Sequence, residues 1–136
     1  MDRRNFLRSS IGGAVAGVSL GMGLPESVFA ASKAPYDLVA VKDGSPEAMF
    51  DKGIEAMGGM KRFVKKGQTV LVKPNIGWDV SVERAGNTNP DLVKRIVEHC
   101  YNSGAKEVYV FDHTCDDWQQ CYRHSGIEKA VKDAGG

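Results

Sequence analysis

Apolar and polar positions along the chain switch between a period near two and a period near 3.6. Tyr36 to Lys42, YDLVAVK, reads as a short strand closed by the turn pair Asp43-Gly44. Ser45 as N-cap and Pro46 at the first helical position then open PEAMFDKGIEAMGGM, where Met49, Phe50, Ile54, Met57 and Met60 recur at helical spacing. The methionines on that face read as core packing. Gly58-Gly59 breaks the helix, and QTVLVKPN follows with the uninterrupted apolar centre Val70-Leu71-Val72. Such a run predicts a strand buried on both faces, as in a parallel sheet.

The next stretch, IGWDVSVERAGNT, has no period and is long for a connection inside a compact domain. Asn89, Pro90 and Asp91 then mark a helix start, with Leu92, Val93, Ile96, Val97 and Cys100 on one face and Gly104 at its end. KEVYVFD, Lys106 to Asp112, predicts a third strand, and Ser125 with Glu128 forms a capping box before a last helix. The alternation predicts an α/β fold of three-layer type with a mainly parallel sheet. SGIEKAVKDAGG halts where a further strand is expected, which reads as a truncated part of a larger domain.

Residues 1–30 carry a different pattern: Arg3-Arg4 followed by Asn5, Phe6 and Leu7, a glycine-rich apolar run from Ile11 to Leu24, and Val28-Phe29-Ala30. This resembles a twin-arginine export signal cleaved after Ala30, with an uncleaved membrane anchor as the alternative. The resemblance implies a bacterial, periplasmic or extracytoplasmic protein that meets the twin-arginine translocase during export and touches the membrane only if the signal is retained. Removing 30 of 136 residues leaves 106, enough for one small domain, residues 31–136. Taking Arg3, Arg4 and Arg8 from 18 basic residues, and Asp2 and Glu26 from 17 acidic ones, leaves fifteen of each. That balance gives no sign of a nucleic-acid partner or an anionic surface.

Ligand crevices of open α/β sheets lie beyond the carboxyl ends of the strands. Two segments arrive there: Lys73-Pro74-Asn75, and Asp112-His113 with the cysteine-bearing loop behind it. Lys73 offers a cation to a phosphate or carboxylate, Asn75 an orienting amide, and the start of the Pro90 helix a positive dipole end. The competing reading makes Lys73 a solvated strand-end residue and Pro74-Asn75 a turn. Asp112 and His113 suit an acid/base or ligand pair, while Asp112 equally suits the cap of the next helix. Cys100 lies on an apolar helix face and reads as inert core. Cys115 and Cys121 suit a mutual disulfide, or a metal site completed by Asp112, His113 or His124. Three cysteines, spaced by fourteen and then by five residues, do not make the four-cysteine set of an iron–sulfur cluster.

VLVKPNIG, TNPDLVKRIVEHCYNSGAKEVYVFD and SGIEKAVKDAGG resemble the N-terminal part of the domain of unknown function 362 family. The carrying elements are Lys73-Pro74-Asn75, Thr88-Asn89-Pro90 and Gly104-Ala105-Lys106-Glu107-Val108 leading to Asp112, with a resemblance running from about Tyr36 onward. It implies an α/β domain that in many members accompanies iron–sulfur modules, so that a cluster enters by family association only. Three functions follow as expectations. The first is an exported enzyme or redox-associated protein using Lys73, Asn75, Asp112, His113 and the Cys115/Cys121 pair. The second is a non-catalytic module binding a small molecule or a redox protein, and the third is a fragment without independent activity.

Overall fold

The structure, a computed structural model, describes residues 36–136. The export signal read in residues 1–30 lies outside the described residues. Four helices and two strands follow in the order α1 (Pro46–Ala56), β1 (Thr69–Val72), α2 (Pro90–Asn102), β2 (Glu107–Val110), α3 (Trp118–His124) and α4 (Ile127–Asp133). One-turn 3-10 helices at Met60–Arg62 and Val82–Arg84 interrupt the connections on either side of β1.

β1 and β2 pair in parallel, with Thr69 opposite Glu107, Val70 opposite Val108, Leu71 opposite Tyr109 and Val72 opposite Val110. This is a mixed α/β architecture around a small parallel sheet, coarser than the three-layer type expected from the alternation. Tyr36–Lys42 forms no strand. Because side chains alternate across a strand, Val70, Val72, Val108 and Val110 meet the core, while Leu71 and Tyr109 stand on the opposite face, 64% and 53% exposed. The expectation of burial on both faces is therefore corrected: α2 and α4 cover one face only.

The core joins Val93, Val97 and Cys100 of α2 to Ile127 and Val131 of α4, with Val64, Ile76, Val108 and Cys121 completing it. Cys100 is core, as its helix position implied. Helix α2 starts where expected, the Asn89 side chain accepting the amides of Asp91 and Leu92. Ser45 caps α1 by accepting the Ala48 amide. Helix α1 buries no side chain completely. It is tied to α2 by the Asp51 carboxylate, which accepts from Arg95 Nε at 2.8 Å and Nη2 at 2.9 Å and pairs with His99 Nε2 at 2.8 Å. The Arg95 fork holds the Asp51 carboxyl below the ordinary carboxylate range, against a smaller upward push from burial.

The last helix begins differently from the capping-box expectation. Gly126, at φ +75°, is the residue before α4, and Ser125 is buried, its hydroxyl donating to Tyr122 O and accepting from the Ile127 amide. Ser125 thus closes α3 and opens α4 inside the core; its amide donates to Cys121 O, and Glu128 accepts from Lys132 Nζ instead of reaching back to the cap.

Candidate functional site

The carboxyl ends of β1 and β2 lie side by side, and each strand runs straight into one member of an ion pair. Lys73 Nζ sits 2.5 Å from Asp112 Oδ1; the lysine side chain is 68% exposed and the aspartate side chain 6%. Asp112 Oδ2 accepts the amide of buried Ile76 at 2.9 Å. The hydrogen bond from Lys73, then the Ile76 amide, hold the Asp112 carboxyl below its usual range despite burial, so it stays ionised. Tyr122 clasps the same residue from α3: its hydroxyl accepts the Asp112 amide at 2.8 Å and donates to the Asp112 carbonyl at 3.1 Å. Asp112 does not cap α3; Asp117 does, accepting the Gln120 amide.

A cavity of about 470 Å³ opens beside Asp112, lined chiefly by Phe111, Asp112, His113, Thr114, Trp118 and Tyr122. Trp118 and Tyr122 meet edge to face. His113 is exposed, and its imidazole makes no hydrogen bond among the described residues. The site therefore offers one exposed cation, one exposed imidazole and an aromatic wall.

The Asn75 side chain is engaged by the backbone of the loop that follows it. It donates to Gly86 O and accepts the Gly77 amide, and the Asn75 backbone amide donates to Thr88 Oγ1. The aperiodic loop is thus closed at its base. Asn87 closes it again a few residues further in by accepting the Trp78 amide and donating to Trp78 O. The Pro90 helix start is likewise committed, since Asn89 occupies its first free amides.

The cysteines are three free thiols, and the expected disulfide between Cys115 and Cys121 is corrected. The physical reason is the helix start at Asp117, between the two cysteines, which turns Cys121 into the core at 0% exposure and leaves Cys115 in the exposed loop. Both instead serve one carbonyl: Gly77 O accepts the Cys115 amide at 2.8 Å, the Asp116 amide at 3.3 Å and Cys121 Sγ at 3.7 Å. Burial pushes the Cys100 and Cys121 thiols up, so neither supplies a thiolate readily.

His124, proposed with the cysteines as a metal ligand, pairs instead with Asp79 at 2.5 Å. No group of three or more His, Cys, Asp or Glu side chains among the described residues is placed to hold a metal ion. An iron–sulfur cluster finds no fitting ligand set here, with one sulfur in the loop and two in the core. Sequence reasoning missed Tyr122, Ile76, Asn87 and Asp79. Only Asn87 carried a signal, as a short amide side chain in an unpatterned loop.

Residues 70–136 match the family described as Domain of unknown function (DUF362). The resemblance expected to run from about Tyr36 with the family's N-terminal part is thereby corrected. The match takes in the C-terminal part of this chain, leaving out α1 and the segment read as an export signal. No curated protein and no solved structure matches the chain. No helix among the described residues is long and apolar enough to cross a membrane.

Proposed function

We propose that the carboxyl end of the β1–β2 sheet binds a small anionic molecule, with Lys73 as its cationic contact and His113 as the group that exchanges a proton with it. The observation that carries this reading is the asymmetry of the Lys73–Asp112 pair: the carboxylate is buried, lines an aromatic-walled cavity and accepts at both oxygens, while the ammonium it holds stands 68% exposed. A saturated carboxylate fixes the lysine without spending all of its donors, since an ammonium has three. Asp112 acts here as a positioning residue, together with Tyr122 and Asn75.

The proposal places this site in an exported, redox-associated protein. Its redox part rests on Cys115, an exposed thiol in the loop that continues from His113 and Thr114. Its location outside the cytoplasm rests on the sequence of residues 1–30 alone. A non-catalytic binding module is the second reading, favoured by the number of site polar groups spent on the scaffold. A larger layered sheet belongs to either reading, supported by the bare apolar face that carries Leu71 and Tyr109.

Calorimetric titration with inorganic phosphate and with succinate tests the site. Binding that weakens at least about tenfold in Lys73→Met, as loss of one charge-assisted hydrogen bond implies, supports it. Equal binding by the variant, or none by the unmodified chain to either anion, contradicts it. Loss of proton uptake on binding in His113→Gln, with affinity retained, separates the two residues' roles.

A further inference from the structure

Overall charge balance conceals a local segregation. From Ala56 to Trp78 the chain carries Lys61, Arg62, Lys65, Lys66 and Lys73 and no Asp or Glu. Lys73 is paired with Asp112, from far along the chain. The other four sit within the turn that begins at Met60–Arg62, and none of them has a carboxylate partner among the described residues.

That turn is rigid. Val64 is buried in the core, Phe63 and Val64 amides donate to Met60 O, and the Gly67 amide donates to Gly104 O at 2.7 Å. Gly104 takes φ +98°, and a Cβ there would meet the Lys66 backbone at 3.2 Å, so the two segments lie in close contact. Arg62 donates to Met57 O, and Lys65 Nζ donates to the carbonyls of Lys61 and Arg62. Carbonyls thus share these cations without neutralising them.

Phe63 follows Arg62 in the chain and is 49% exposed, with the Arg62 guanidinium 5.6 Å from its ring centroid. Lys61, Lys65 and Lys66 line a shallow cavity of about 480 Å³ together with Tyr101, Asn102 and Ser103, while Arg62 and Phe63 stand outside that lining.

We propose that this turn is a docking surface for an anionic lipid bilayer, with Phe63 entering the interface and Lys61, Arg62, Lys65 and Lys66 meeting lipid phosphates. An acidic protein would satisfy the cations but gives no reason for a half-exposed phenylalanine among them. A bilayer interface accommodates both, since aromatic rings sit at headgroup depth while lysine stems lie along apolar surface and keep their ammonium groups wet. Each basic residue near an anionic leaflet strengthens binding about fivefold at moderate ionic strength. The surface is independent of the anion site at Lys73 and Asp112.

The test uses the full chain and vesicles of phosphatidylcholine, with and without phosphatidylglycerol. Phe63→Trp supplies a local probe, read as the emission added over that of the unmodified chain. The surface predicts a blue shift of that added emission with phosphatidylglycerol vesicles only, reversed by salt. Neutralising Lys61 and Lys66 together, as Lys61→Gln with Lys66→Gln in the Phe63→Trp background, moves the midpoint of the shift about 30-fold in lipid concentration. Neither lysine side chain donates a hydrogen bond among the described residues, so the substitutions leave the turn's own hydrogen bonds in place. Added emission that is unchanged by anionic vesicles overturns the proposal, whatever other segments of the chain bind. A midpoint unmoved by the double substitution overturns it equally.

Discussion

Asp112 is the residue on which most of the site's geometry converges. Replacing it with alanine leaves the amide of fully buried Ile76 without an acceptor, and is expected to cost about 1–3 kcal/mol of stability in denaturant unfolding. The pH dependence has a definite sign. The folded-state pKa lies below the unfolded value near 3.9, so the carboxylate's stabilisation is fully present above that value and is lost as pH falls through the folded pKa. The difference in unfolding midpoint between the unmodified chain and Asp112→Asn should therefore be constant near neutrality and shrink in acid. The cysteines give a second prediction at this scale. One thiol of the three, Cys115, should react quickly with a disulfide reagent in the native chain, and all three after unfolding. Two fast thiols would mean that α3 does not hold Cys121 in the core.

Elements were legible wherever a local rule fixed both start and face. The Asn89-Pro90 signal located α2 because one side chain satisfies the free amides of the first turn, and its apolar stripe turned Val93, Val97 and Cys100 inward. Asn89→Ala should cost about 1 kcal/mol, measured by chemical unfolding. Signals that depend on neighbours were not legible. Tyr36–Lys42 has strand composition but pairs with no strand, and Ser125 has capping-box spacing but is drawn into a buried corner. Lys73 and Asp112 were identified because a parallel sheet brings strand ends together. Their contact and the Tyr122 clasp depend on how distant segments dock, the two strands side by side and α3 over the end of β2, which spacing along the chain does not give. The disulfide reading failed for the same reason: spacing along the chain carried no knowledge of the helix start at Asp117.

At the scale of the whole molecule, two surfaces stand out from a fold whose core lies on one side of its sheet. Leu71, Tyr109 and Phe111 form an apolar group that no described element covers, each at least half exposed. Substituting Leu71→Thr and Tyr109→Thr should lower binding of a hydrophobic fluorescent dye while leaving the unfolding midpoint nearly unchanged, because threonine suits a strand and little burial is lost. A large fall in stability would show that this face is covered in solution. The basic turn around Phe63 lies on a separate connection, between α1 and β1.

Amide chemical-shift mapping during titration with succinate decides whether the ends of β1 and β2 form a ligand site. Shifts are expected to concentrate at Lys73, His113, Thr114 and the Trp118 indole, and to disappear in Lys73→Met. Shifts centred on the Asp51, Arg95 and His99 cluster, or persisting in that variant, would contradict it.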